Sequence, residues 1–297
     1  MRGLAALIMR GRLPAAGVLG LTTLVPFLGW LGTAALALVT LRRGPAEGLL
    51  VAGLGAALAA ALMSAALATP GPLLVLVAQF WLPALALAMV LRWTVSLGRT
   101  LEAASLASGM LVVATHLLLE APAEFWSGVL MAAMESLYGQ PPGPELQAVI
   151  EGSVAPAMTG IWAMNLLLVA LASLLLARWW QALLYNPGGF GDEFRALRLS
   201  PWLAGLNLAV ALGSLAVPLG MLPDLTTAMG AVFAMQALAV AHWLSHRRRL
   251  SRVWLVAIYL LAPFLLRLLA LVGMVDVFLD LRRRMDAASN GGGNGPA

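Results

Sequence analysis

Long apolar runs broken by arginine, proline and glycine dominate the chain. They cover about residues 13–28, 30–41, 48–68, 73–91, 100–119, 154–177, 201–220, 225–244 and 253–275. Most approach the ~20 apolar residues that a helix needs to cross a bilayer. The first two are shorter and part around Pro26 and Gly29, which suits a tight or partly re-entrant hairpin. Arg42 and Arg43 close the second run, Arg92 the fourth, and Arg178-Trp179-Trp180 the sixth. Thr69-Pro70-Gly71-Pro72 reads as a turn between the third and fourth. The pattern predicts an all-α, polytopic transmembrane helical bundle of about 8–9 membrane segments, forming a single helical domain over residues 1–286.

Three stretches fall outside these runs. Met1–Arg12 sets Arg2, Arg10 and Arg12 around a short apolar stretch without a signal-type cleavage site. It is expected to form an interfacial helix. Residues 120–152 carry Glu120, Glu124, Glu135, Glu145 and Glu151 and no basic residue. Within them, Pro122–Tyr138 alternates apolar and polar positions at helical spacing. That predicts an amphipathic helix, either a lid over an outward-facing cavity or a solvated connector. A second short helix begins at Pro144. Residues 287–297, AASNGGGNGPA, read as a disordered tail.

Composition narrows the class. Hydrophobic residues make up 61% of 297 and charged residues only 10%. A soluble domain carries about 25% charged residues, so a soluble globular enzyme is excluded. All 18 basic residues are arginines, placed at the ends of apolar runs where they set topology and meet anionic headgroups. Nucleic acid is therefore not an expected partner despite the net charge of +5. With the N-terminus in the cytoplasm, Arg42–Arg43, Arg92–Arg99, Arg178–Arg198 and Arg247–Arg252 all fall inside, and the acidic loop 120–152 falls outside. The expected localisation is a bacterial inner membrane, multi-pass. Nine crossings leave Arg282–Arg284 outside, so either the last segment is kinked and re-entrant at Pro263 or an earlier one does not cross. Without cysteine, thiol chemistry and thiolate metal sites are excluded.

Polar side chains at membrane depth are costly and need a reason. Gln79, His116, Asn165, Asn207, Gln236 and Arg267 are the candidates for binding a ligand, the alternative being hydrogen bonds between helices. Arg267 lies four residues after Pro263 inside the ninth run, where a buried guanidinium requires an anion, carbonyl partners or a route for the side chain to the interface. His116 and Glu120 share a helix face, as do His242 and His246. The second pair has metal-binding spacing but no third ligand nearby, and Arg247–Arg249 oppose a cation, so no metal is expected. Nucleophile, zincin and P-loop motifs are absent. Gly188-Gly189-Phe190-Gly191 follows an apolar helix rather than a strand and lacks the P-loop lysine. Neither enzymatic activity nor a cofactor is expected. Ala52, Ala56 and Ala60 form a small-residue stripe, and Ala57, Ala61 and Ala65 a second, through which helices approach closely or a partner membrane protein docks.

Two stretches carry a family resemblance. One is Asn186–Leu199, NPGGFGDEFRALRL, leading into Ser200-Pro201; the other is Gly273–Arg284, GMVDVFLDLRRR. With the segment number, the chain resembles the YybS-like family of bacterial inner-membrane proteins over nearly its whole length. That family is distantly similar to the substrate-binding S components of energy-coupling-factor transporters, which capture vitamins or metal ions and work with a coupling subunit and two ATPases. The resemblance implies an S-component-like core, an outward-facing cavity for a small-molecule solute, and a small-residue docking stripe. It carries over no ligand residue. In physical terms, Phe190 and Phe194 bury at the interface while Asp192, Glu193, Arg195 and Arg198 stay wet. Asp276 and Asp280 share a face, and Asp280 stands four residues before Arg284, at ion-pair spacing. The two stretches form one contact surface if the last segment returns to the cytoplasm. The expected function is solute binding within a transport system. The alternative is a structural or assembly factor that docks membrane proteins through Ala52, Ala56, Ala60, Phe190, Phe194, Asp276 and Asp280.

Overall fold

The computed structural model describes residues 1–25, 27–66 and 71–291. Among these, every regular element is helical. The first five helices are α1 (Arg2–Met9), α2 (Arg12–Thr23), α3 (Gly29–Arg43), α4 (Pro45–Ala66) and α5 (Gly71–Thr94). They are followed by α6 (Leu97–Leu118), α7 (Pro122–Tyr138) and α8 (Pro144–Val149). A π turn (Ile150–Val154) and a 3-10 turn (Ala155–Ala157) lead into α9 (Met158–Tyr185). The rest of the chain forms α10 (Gly189–Arg195), α11 (Pro201–Ala216), α12 (Met221–Arg247), α13 (Arg252–Leu261), α14 (Leu266–Leu279) and α15 (Leu281–Gly291). The helix expected at the N-terminus and the two expected within 120–152 are all present. Helix α15 continues into the residues read as a tail; Pro26, the turn residues Thr69 and Pro70, residues 292–297, and the side chain of Ala65 lie outside the described residues.

The count of eight or nine crossings is not confirmed. Pro45–Ser64, Val77–Thr94, Leu97–Leu118, Pro144–Tyr185 and Met221–Arg247 are long and apolar enough to cross a membrane. A sixth exists if α13 and α14, bent by 114° at the break around Pro263, form one span. Length is the reason. At ~1.5 Å per residue, the 12 residues of α2 and the 15 of α3 reach only about 18 and 22 Å, short of a ~30 Å hydrocarbon core. Helix α11, with 16 residues, is also short. Of the two alternatives for the last segment, the kink at Pro263 is present, and its cause is the missing N–H and fixed φ of proline.

Contacts sort the chain into two compact units. The first holds Met1–Ala104 and Leu166–Leu197. Its centre is α3, whose residues from Thr33 to Leu41 are all buried. The Thr33 and Thr40 hydroxyls stay satisfied by donating back to Gly29 O (3.1 Å) and Leu36 O (2.9 Å). Helices α2 and α4 pack on α3 and on each other, with Leu19 of α2 seated against Gly55 of α4. Gly48, Val51, Gly55 and Ala59 thus form the packed face of α4. Ala52, Ala56 and Ala60 are half-buried beside it, and Gly53, Ala57 and Ala61 are exposed.

The second unit holds Ser105–Asn165 and the chain from Arg198 onward. Its centre is α12, with 67% of its span buried, against 22% for α4. Small residues let neighbours approach it. A Cβ on Gly273 of α14 would lie 1.8 Å from Phe233 O, and one on Gly160 of α9 would lie 2.7 Å from Asp224 Cα. Gly230 of α12 itself faces Asn207 of α11. Ser105 of α6 donates to Met229 O at 3.0 Å. Each neighbour therefore meets α12 at a small residue or a hydrogen bond rather than only through bulky apolar side chains.

Candidate functional site

The polar residues of the second unit are strung along α12. Asp224, Gly230 (against Asn207), Gln236 and His242 recur every six residues, or about 9 Å of helix axis. Each meets a different element.

Near the start of α12, Asp224 is 3% exposed. Its Oδ2 lies 2.8 Å from His116 Nε2 on the last turn of α6, and its Oδ1 accepts from Gly160 N–H at 3.0 Å. One residue before Gly160, the Thr159 hydroxyl accepts from Trp126 Nε1 of α7 at 2.9 Å. The Trp126 ring also packs 5.7 Å from Trp162. Adjacent residues of α9 thus hold the amphipathic helix through Thr159 and the buried acid through Gly160. The expected proximity of His116 to Glu120 is replaced by Asp224, 108 residues away; Glu120 is exposed.

Toward the other end of α12 lies a second buried network. The side chain of Gln236 accepts from Leu199 N–H at 3.1 Å and donates to Asp276 Oδ2 at 2.6 Å. Asp276 also takes Arg282 Nη2 at 3.1 Å and, on Oδ1, Leu281 N–H at 3.0 Å. Gln236, Asp276 and Arg282 are 1%, 2% and 3% exposed. Burial pushes the Arg282 guanidinium below its ordinary value, and the Asp276 carboxylate opposes that shift. The ion pair expected between Asp280 and Arg284 does not form, because α14 ends at Asp280 in a left-handed conformation (φ 46°), which aspartate tolerates better than most residues. Asp280 instead caps α15 by accepting from Arg283 N–H at 3.1 Å, and it pairs with Arg198. Arg198, near the end of the first family-like stretch, therefore meets the second stretch at Asp280, while Leu199 meets it only through Gln236.

Arg198, the Arg283 N–H and the nearby guanidiniums hold the Asp280 carboxyl below its ordinary value, Arg198 most strongly. A depressed carboxyl contributes stability that is complete above the ordinary carboxyl range and is lost as pH falls through the native value. Both partners are partly solvated, with side chains 53% and 28% exposed, so the contribution is under about 1 kcal/mol. Arg198→Gln is expected to cost that much at neutral pH and nothing once Asp280 is protonated. Denaturation midpoints measured across the acid range check this.

The other candidates fall elsewhere. Gln79 is half-buried on α5 in the first unit, and Asn165 is exposed on α9. Asn207 is 2% exposed, and its Nδ2 has no hydrogen-bond partner among the described residues. Arg267 is exposed, not buried: the break around Pro263 makes it the second residue of α14 rather than the interior of one straight span. His242 Nε2 lies 2.9 Å from Tyr259 Oη, and among the described residues no group of three histidines and carboxylates is placed to hold a metal. In the 186–199 loop, Phe194 is buried and stacks on half-buried Phe190 at 5.9 Å. Asp192 and Arg198 are exposed there, while Glu193 is drawn into an ion pair with Arg178 at 2.8 Å.

Sequence reasoning missed Asp224 and Arg282. Both stand near the ends of apolar runs, where charges usually mark the membrane surface. Compared with known protein families, curated proteins and solved structures, the chain matches none of them.

Proposed function

We propose that this multi-pass membrane protein is the small-solute-binding component of a transport system, and that its working site is the Asp224–His116 pair, one residue along α9 from the Thr159 that anchors α7. One observation carries the reading. Neighbouring residues, Thr159 and Gly160, tie the amphipathic helix on one side and, on the other, a buried acid paired with a half-buried imidazole. An ionisable pair within membrane segments is expensive to bury and characteristically marks a solute or proton path. Helix α7, anchored one residue from Gly160, then serves as the lid. The YybS-like resemblance supports the same class, and the arginine pattern supports an orientation with the α7 side outside. The test is native mass spectrometry of the protein extracted from its own membranes in mild detergent. The wild-type chain is expected to retain a small non-lipid molecule, and Asp224→Asn to reduce that occupancy at least tenfold with helix content unchanged. A wild-type chain that carries no such molecule, or an Asp224→Asn variant that keeps it, overturns the reading.

The second reading is the assembly factor. It is favoured by the exposed small-residue face of α4 at Gly53, Ala57 and Ala61, beside the half-buried Ala52, Ala56 and Ala60. Membrane proteins that co-purify with the wild-type chain and are lost on Ala57→Leu would select it.

A further inference from the structure

Arginines at one end of the first unit bind helix ends together. Arg43 donates to Met9 O at 2.6 Å, Arg92 donates to Leu41 O at 2.7 Å, and Arg42 lies 4.1 Å from the Tyr185 ring centroid. A cavity of about 360 Å³ opens beside Arg92. Its polar lining is Arg92, Arg178, Gln181 and Glu193, and Leu91 and Trp93 contribute apolar surface. Arg178 spends Nε on Glu193 and Nη1 on Gln181, both at 2.8 Å. Arg92 spends only Nη1, on a backbone carbonyl, so among the described residues its other donors remain available.

We propose that this cavity binds a phosphodiester monoanion, the headgroup of an anionic phospholipid. Three observations select that chemistry. Two guanidiniums face one carboxylate, leaving one net positive charge in the lining. A monoanion is balanced by that charge. A phosphate dianion would meet the Glu193 carboxylate with a surplus negative charge. The location fits a lipid, since Arg92 lies two residues from the end of the Val77–Thr94 span, at headgroup depth with apolar helix surface beside it. The cavity lip also stores strain: Val95, 80% exposed, holds φ at 49°, a conformation that a β-branched residue rarely adopts. Such strained residues cluster at ligand clamps. Arginine rather than lysine suits the task, because its planar fork meets two phosphate oxygens at once.

The experiment uses the full chain in detergent micelles doped with dioleoylphosphatidylglycerol, with dioleoylphosphatidylcholine, or with inorganic phosphate at equal concentration. Thermal unfolding and native mass spectrometry are the readouts. Phosphatidylglycerol is expected to stabilise the wild-type chain over phosphatidylcholine. Arg92→Gln is expected to abolish that difference and lower phosphatidylglycerol retention about tenfold. Glu193→Gln removes the opposing carboxylate and is expected to raise retention, which keeps the test decisive if Arg92→Gln folds poorly. Stabilisation by inorganic phosphate equal to that by phosphatidylglycerol would overturn the assignment of a lipid phosphodiester. Equal behaviour in the two lipids, or an Arg92→Gln variant that keeps the wild-type preference, overturns the proposal.

Discussion

Gly273→Ala is expected to be among the most damaging single-methyl additions this chain can suffer. The new Cβ would lie 1.8 Å from Phe233 O and 2.7 Å from Phe233 C. Those are backbone atoms of α12, so no side chain can rotate away, and relief requires α14 to move off α12. Overpacking a core ordinarily costs about 1–3 kcal/mol, with larger values where relaxation is blocked, and this contact belongs at or above the top of that range. The shift also separates Asp276, one turn along α14, from Gln236 on α12, which meet at 2.6 Å. Gly205→Ala supplies the opposite sign. It lies within α11, exposed, with nothing within 4 Å of its added Cβ. There the loss of glycine's backbone freedom dominates, so the substitution should stabilise by about 0.5–1 kcal/mol. Thermal unfolding of both variants in one detergent checks the pair. A Gly273→Ala variant as stable as the wild type would mean that α14 does not pack on α12 as described.

The glycine pattern shows where sequence reasoning succeeds and where it stops. Arginine, proline and glycine punctuation located most of the longer helices and the short ones in 120–152, and offered Pro263 as one of two places where the last segment could depart from a straight span. It marked the first two runs as short, and α2 and α3 end after 12 and 15 residues; it did not mark the 201–220 run, whose helix α11 ends after 16. The same limit applies to charge. Arg267 stands within an apolar run, so the sequence implies depth; the break turns it outward, and it is exposed. Asp224 and Arg282 stand beside run ends, so the sequence implies water; tertiary packing buries both. Gln236 was legible as a polar residue in need of a partner, but that partner, Asp276, lies 40 residues on, beyond the reach of periodicity. Burial of a charge is a property of what packs over it, and local sequence does not carry that information.

Asp276→Asn is expected to cost about 3–5 kcal/mol, the range for removing one partner of a buried ion pair. The carboxylate receives the side-chain amide of Gln236, a guanidinium N–H of Arg282 and the Leu281 N–H. An asparagine amide keeps the shape but presents only one acceptor oxygen, and it leaves the Arg282 charge at 3% exposure without its carboxylate. Arg282→Gln should cost less, since Asp276 then keeps Gln236 and the Leu281 N–H. The double variant should be more stable than the sum of the two losses implies, with a coupling of about 0.5–3 kcal/mol, because the second change removes the charge that the first one stranded. Strict additivity would show that the two side chains do not share an energy term, whatever their 3.1 Å separation. A local readout accompanies the global one. The Leu281 N–H opens α15, so Asp276→Asn should expose Leu281–Arg284 to trypsin ahead of the rest of the chain. If that segment resists cleavage while the protein is destabilised, the network stabilises α14 against α12 but does not position α15. Cleavage there first would assign Asp276 both tasks: holding α14 onto α12 through Gln236, and starting the helix that carries Arg282–Arg284.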